Sequence, residues 1–417
     1  MEFERLVKRV DELREWCTKL LERMVSVPTV NPPGTNFEEF VNLVAEELRS
    51  MGIDASIHRV PREVVEKVHG SEIASYPRYV LIARVGSGSK VLQINGHYDV
   101  VPPGDGWTKD PFKPVIENGR LYGRGSVDMK GGIASALTAL ATLKDFEKEL
   151  NGVFEVALVP DEEIGGESGT GYMLDAGLSR PSYAIIAEPS GVDQVWIGHR
   201  GAVWCYVEVR GRQAHGSTPW LGINAFRYGT ELARRFFERY LPMLEQRRSR
   251  YAELYEDPNA AMPTANIGGE IRGGAKINIV PAFFSFSIDR RLIIEEKPEE
   301  VEEEIRRFVE ENTKDFPPEV KVSVRFVGRM PPTFVDPKSE LVRNLIDAAK
   351  NALGLEPLPR ICTGGLDLWF YTTRGIPCIT YGPGPRDTPH MADEYVELEQ
   401  VYGVAKVFAI LGIKLLS

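Results

Sequence analysis

The chain has 417 residues, 43% hydrophobic and 26% charged, which is enough for a sizeable core and longer than one ordinary domain of about 100–200 residues. Its 50 Lys and Arg against 60 Asp and Glu leave a net charge of −10, and without a basic block this argues against a nucleic-acid or membrane-surface partner. No stretch approaches ~18 uninterrupted apolar residues, and the charged run from Met1 to Glu15 lacks the apolar centre of a signal segment, so a cytoplasmic protein is expected.

Val7, Val10, Leu13, Cys17, Leu20, Leu21 and Met24 recur at helical spacing and predict one amphipathic helix at the start. Asn31-Pro32-Pro33-Gly34 ends that region. A second helix is predicted over roughly 36–50, with Phe40, Leu43, Val44 and Leu48 on one face. Strand-like runs follow at Val80–Val85, Val91–Ile94, Val153–Val159, Tyr183–Ala187 and Cys378–Tyr381, alternating with helical runs such as Ile133–Leu143 and Ser339–Leu353. That alternation predicts an α/β fold, a mostly parallel sheet with helices on both faces. The middle of the chain reads differently: strand 201–210, helix 223–240, strands 265–272 and 282–292, helix 297–313 and strand 320–327. This βαββαβ order is the split unit of a ferredoxin-like sandwich. The expected organisation is a catalytic domain made of 1–195 and 331–417, with an inserted lid domain at 196–330. The acidic run Glu295 to Glu304 opens a helix, where negative side chains suit the positive end of the dipole, and is expected to be a solvated face. Cys17, Cys205, Cys362 and Cys378 are scattered and fit buried free thiols in a reducing compartment.

Several apolar strands run straight into polar clusters. Val91–Asn95 leads to Gly96-His97-Tyr98-Asp99, Phe154–Val159 to Pro160-Asp161-Glu162-Glu163, and Ala184–Ala187 to Glu188-Pro189. The strand around Cys378–Tyr381 leads to a loop with His390, and Gly123-Arg124-Gly125-Ser126-Val127-Asp128 precedes a helix. In open α/β sheets, sites lie at the carboxyl ends of strands, so these clusters are expected on one rim. Each has a plain reading taken alone: a hydrogen-bonded loop pair for His97 and Asp99, a helix cap for Asp128, an acidic surface loop for Glu162-Glu163. Together, two histidines and three carboxylates without a thiolate suit a two-metal site of zinc, cobalt or manganese that activates water and polarises a carbonyl. The chain has neither a G-x-x-x-x-G-K-[ST] phosphate loop nor a G-x-S-x-G elbow. Gly364-Gly365-Leu366-Asp367 could present backbone amides or be a tight turn.

These motifs, in this order and across essentially the whole chain, resemble the co-catalytic dizinc aminoacylase and carboxypeptidase family, which includes succinyl-diaminopimelate desuccinylase, acetylornithine deacetylase and carboxypeptidase G. The resemblance implies one metal held by His97, Asp128 and Glu188 and a second held by Asp128, Glu163 and His390, with Asp128 bridging. It implies two divalent ions per subunit, zinc first, with cobalt or manganese as alternatives. It makes Glu162 the general base and Asp99 the residue that orients His97. Gly211-Arg212-Gln213-Ala214-His215-Gly216 looks like the lid motif, so His215 would hydrogen-bond the developing oxyanion, in many relatives from the partner of a homodimer formed through the lid. Arg291, favoured over Arg290, with Asn278 nearby, would bind a substrate carboxylate. Gly364 and Gly365 resemble the family's second glycine-rich loop.

Two segments depart from the pattern: His58 to Tyr79 is longer than expected, and Glu245 to Pro263, with Arg247, Arg248 and Arg250, looks extended. His58 and His69 read as surface residues and His199 as a hinge residue. Glu188 in its Glu-Pro-Ser context resembles the deacylase members more than the carboxypeptidases, which often carry aspartate there. The reading is therefore hydrolysis of N-acyl amino acids, with carboxypeptidase or dipeptidase action on short peptides as the alternative. A metal- or peptide-binding module without turnover, and dimetal phosphoester hydrolysis, are the readings from other classes.

Overall fold

In the computed structural model, which describes residues 3–417, the β-branched runs of the chain become strands. They are β1 (Ala55–Arg59), β2 (Tyr79–Gly86), β3 (Val91–His97), β4 (Val153–Val159), β5 (Tyr183–Ile186), β6 (Gln194–His199), β7 (Gly201–Arg210), β8 (Thr264–Gly273), β9 (Phe283–Leu292), β10 (Lys321–Met330) and β11 (Cys378–Thr380). Met1 and Glu2, which begin the charged run read for a signal segment, lie outside the described residues. The chain divides into two units, Met1–Ile197 with Val335–Arg360 and Leu366–Ser417, and Gly198–Phe334 with Ile361–Gly365.

The sheet of the first unit has the order β1-β2-β4-β3-β5-β11-β6. It is a mixed sheet rather than a mostly parallel one. Strands β4, β3, β5 and β11 run parallel, while β1–β2, β2–β4 and β11–β6 pair antiparallel. Connection length explains the difference. A parallel crossover takes about a dozen residues or more, which 98–152 supplies between β3 and β4. Only residues 87–90 join β2 to β3, and only 187–193 join β5 to β6, so β2 and β6 run the other way. In β3 and β4 every residue after the first is buried, as strands covered on both faces require.

Helix Gly131–Lys144 is buried from Gly131 to Leu143 and packs against helix Leu398–Leu416. Its first turn touches the sheet at Gly132, where a Cβ would lie 1.9 Å from the Ala187 carbonyl oxygen. Only glycine allows that approach. The single helix expected at the start of the chain is two, Glu4–Glu12 and Arg14–Ser26, parted at Leu13. Periodicity carries no mark of the break, because Val10, Leu13, Cys17, Leu20, Leu21 and Met24 stay buried through it.

The second unit holds an antiparallel sheet ordered β8-β9-β7-β10. Strand β7 shows the reason: Val203, Cys205, Val207 and Val209 are buried while Trp204, Tyr206 and Glu208 between them are half-exposed, the period-two pattern of a sheet covered on one face. Leu232 and Phe236 and, from helix Pro298–Glu311, Val301 and Ile305 complete that core. The acidic run at 295–304 is not simply a solvated face. Glu296 bonds Arg247 and Arg290, Glu304 bonds Arg247 and Tyr240, and Glu295 bonds Ser249. Arg247 in the extended segment is thus engaged inside its own unit.

Candidate dinuclear metal centre

Parallel register brings the strand ends together. His97 is level with Val159, and Asn95 is level with Ile186, so His97, the Glu162-Glu163 turn and Glu188 leave the sheet along one edge. Asp128 enters from the turn before helix Gly131–Lys144, and His390 from the loop after β11. His97 Nε2 lies 3.1 Å from an Asp128 oxygen and 3.1 Å from a Glu188 oxygen. His390 Nε2 lies 3.2 Å from the other Asp128 oxygen and 3.3 Å from Glu163. Two triads result, His97–Asp128–Glu188 and Asp128–Glu163–His390, each with its donor atoms within 4.8 Å of one another. A tetrahedron with ~2.0–2.1 Å bonds has edges of about 3.3 Å, so both sets have the size that a zinc-like ion requires. Asp128 gives one oxygen to each triad. Glu163 Oε1 and Asp99 Oδ1 are buried without a hydrogen-bond partner, as expected of carboxylates beside cations.

The electrostatics point the same way. Burial, then the charge of Asp128, pushes Glu188 up to about 8. Burial also raises Glu162 well above the usual carboxylate range, opposed by His97 and reinforced by Glu188, Asp367 and Glu163. For His97, burial acts downward, but Glu188 and Asp128 together hold it well above the ordinary value. Hydrogen bonds to Asp128 and Glu163 lift His390 to about 10. Crowded carboxylates that raise both imidazoles are a field that divalent cations would satisfy.

The candidate ligands are held by Asp99, expected from sequence beside His97, and by residues given no role there. His97 Nδ1 donates to the Asp99 backbone carbonyl at 3.0 Å, with the carboxylate at 3.5 Å. That bond leaves Nε2 for a metal, and it runs through the backbone rather than through the expected side chain. Arg124 and Glu394, both fully buried, form an ion pair at 2.5 Å. Glu394 accepts from the amides of Val127 and Asp128, and Arg124 donates to the carbonyls of Pro103 and His390. The pair therefore fastens the Asp128 turn to the His390 loop. Asp367, buried and pushed up to about 7 by burial, accepts from Thr170. His69 is not a surface residue: it is half-buried, and its Nε2 lies 2.9 Å from Ser168 Oγ. Lone-residue composition carried no sign of that partner.

In the second unit, His215 pairs with Ile279 across two short strands, and the Gly216 amide donates to the Asn278 carbonyl at 2.7 Å, so His215 and Asn278 are neighbours. The Ser217 amide donates to His215 Nδ1, which puts the proton of a neutral imidazole on Nε2. Arg290 is fully buried and bonded to Glu296 and Tyr240, whereas Arg291 stays a third exposed beside Asp289. Gly364 is exposed, and Gly365 abuts Met330, whose thioether would lie within 2.5 Å of an added Cβ. His199 is buried, with Nδ1 bonded to the Arg200 carbonyl at 2.8 Å. Cys17, Cys205 and Cys378 are buried free thiols; Cys362 is only half-buried.

Paired ligand sets sharing one carboxylate at the rim of an α/β sheet are the equipment of a metal-dependent hydrolase. Residues 93–412 match peptidase family M20/M25/M40, and the chain belongs to it; it is a metal-dependent amidohydrolase or peptidase. It is 29% identical over 401 residues to a succinyl-diaminopimelate desuccinylase of Rhizorhabdus wittichii, covering 93% of this chain and 95% of that one. To an acetylornithine deacetylase of Myxococcus xanthus it is 32% identical over 325 residues, covering 78% and 80%. Among solved structures, an M20 family metallo-carboxypeptidase from Sulfolobus solfataricus shares the fold with a TM-score of 0.75 at 21% identity, covering 96% and 98%. A dinuclear metal binding peptidase from Bacillus subtilis gives 0.69 at 16%, covering 97% and 99%.

Proposed function

We propose that this enzyme hydrolyses the amide bond of N-acyl amino acids. The observation that carries the reading is the pair of triads sharing Asp128, with Glu162 beside them in sequence. The relatives named desuccinylase and deacetylase, and Glu188 in Glu-Pro-Ser, favour a deacylase. His97, Asp128 and Glu188 would hold one divalent ion and Asp128, Glu163 and His390 the other, zinc before cobalt or manganese. Such ions supply a Lewis acid and an acidified water.

This chain's own residues do the rest. Glu162, a carboxylate adjoining the second triad in sequence, takes a proton from the attacking water and delivers it to the departing nitrogen. His215 offers Nε2–H to the developing oxyanion, from a second copy of the chain in a homodimer formed through the inserted domain. Arg291 receives the substrate carboxylate, with Asn278 beside His215 and Gly364-Gly365 completing the substrate contacts. The free thiols fit a reducing cytoplasm.

The test is release of free amine from N-acetyl- and N-succinyl-amino acids and from dipeptides by protein loaded with zinc, cobalt or manganese. Turnover of acylated substrates is expected, with Glu162→Gln slowing kcat by ~10²–10⁴-fold. Cleavage of dipeptides alone makes the enzyme a peptidase. No cleavage with any ion, or a Glu162→Gln variant as fast as the parent, overturns the reading.

A further inference from the structure

Beneath the metal centre, four distant segments meet in one buried polar network. The turn after β4 has to aim two adjacent carboxylates, Glu162 and Glu163, and its pivot is Asp161, which has φ 69°, a left-handed conformation sparsely used by residues with a Cβ. The Asp161 carboxylate is fully buried. It accepts from Arg78 Nε on both oxygens at 3.1 Å, from Asn31 Nδ2 at 2.9 Å and from Ser168 Oγ at 2.5 Å. His69 in turn bonds Ser168.

Arg78 is also fully buried, and its remaining nitrogens donate to the carbonyls of Ile73, Tyr76 and Pro33. Asn31 uses its amide twice, donating to Asp161 and, at 2.8 Å, to Asp99 Oδ2. That same Asp99 oxygen accepts from the Glu163 amide at 3.2 Å, which leaves Oδ1 for the His97 side. Two carboxylates on one amide group repel each other in a buried site, and Arg78 is the cation that lets both stay.

We propose that Asn31 and Arg78 are positioning residues of the metal centre. Arg78 locks the left-handed pivot that aims Glu162 and Glu163, and Asn31 ties that pivot to Asp99 and so to the His97 loop. The long segment from His58 to Tyr79 closes over the network and delivers Arg78, with His69 bracing Ser168 from the far side. This rests on the ligand and base assignments proposed above, but it is tested by a readout that needs no turnover.

The variants are Asn31→Ala, Arg78→Lys and Arg78→Met, compared with the parent in the full chain loaded with cobalt(II). Cobalt affinity is measured by chelator competition, the visible spectrum reports the ligand field, and kcat and KM are measured on whichever amide the parent cleaves. Asn31→Ala is expected to weaken the tighter cobalt site, or to lower kcat, by ~10–100-fold, with an altered spectrum, little change in KM and a folded circular-dichroism spectrum. Arg78→Lys, which keeps the charge but not the fan of donors, should fall between the parent and Arg78→Met. If Arg78→Met does not fold, Asn31→Ala carries the test. Parental affinity, spectrum and kcat in Asn31→Ala overturn the proposal, even if its melting temperature drops, since packing alone would then explain the network. If the loaded parent cleaves no amide, the proposed function fails while affinity and spectrum still decide this inference.

Discussion

In the first unit Arg78, Arg124 and Lys130 are buried together with Asp99, Asp161 and Glu394; in the second, Arg234 and Arg272 lie exposed beside Glu231 and Glu270. Buried charge is unfavourable unless paired and hydrogen-bonded, so a unit that carries so much of it has a use for it. In the proposed metal centre, that use is to fix the candidate ligand loops. Lys130 illustrates the strain on such groups. Burial pushes it down to about 7, and it survives by donating to the Met24 and Val27 carbonyls at the end of helix Arg14–Ser26. The exposed pairs of the second unit fix no candidate ligand loop, although Arg200, Arg235 and Arg290, the last bonded to Glu296 and Tyr240, show that this unit also buries arginines for its own fold.

Three perturbations sharpen that contrast. The largest effect is expected from Asp128→Asn, which takes an anionic ligand from both triads at once. Metal analysis should find neither ion retained after gel filtration, and amide hydrolysis should fall to background. Retention of both ions would show that Asp128 bridges nothing.

Next comes Arg124→Met, which leaves Glu394 buried without its partner. Breaking a buried pair from one side costs about 3–5 kcal/mol, readable in denaturant melts of the metal-free protein. The ion on the His390 side should also be lost first in chelator titrations.

The smallest effect belongs to the second unit. Hydrogen bonding to Arg235 pulls Asp315 down to about 2 from 3.8. A depressed carboxylate stabilises the fold above its ordinary pKa, and that contribution is lost as the pH falls through the depressed value. Arg235→Gln should therefore lower the melting temperature slightly near neutrality and flatten its fall between pH 3.8 and about 2, below which variant and parent converge. An unchanged acid slope would mean the pair adds nothing, as many exposed pairs do.

Three of the candidate ligand positions stood out in the sequence because they follow apolar strands: His97, the Glu162-Glu163 pair and Glu188, with the family resemblance choosing Glu163 over Glu162, and parallel register at the centre of the sheet does bring those strand ends level. The antiparallel outer strands were legible in principle, since four residues between β2 and β3 leave no room for a crossover. Arg124 and Glu394 were not, because nothing local in either segment says that it will be buried against the other, 270 residues away. The same holds for Asn31 and Arg78, whose partner Asp161 was passed over beside two more conspicuous glutamates. For Asp99 the chemistry of the side chain drew attention away from its carbonyl, which bonds His97 more closely.

The contact at Gly132 has a consequence for tolerance. Helix and strand end meet there with only a hydrogen atom between them, 1.9 Å being all that a Cβ would find. The backbone four residues beyond Asp128 thus works as a gauge block against the backbone next to Glu188. One methyl group at that spot, far too inert to bind anything, would wedge the turn from the rim and spread a ligand set whose every member had been left untouched.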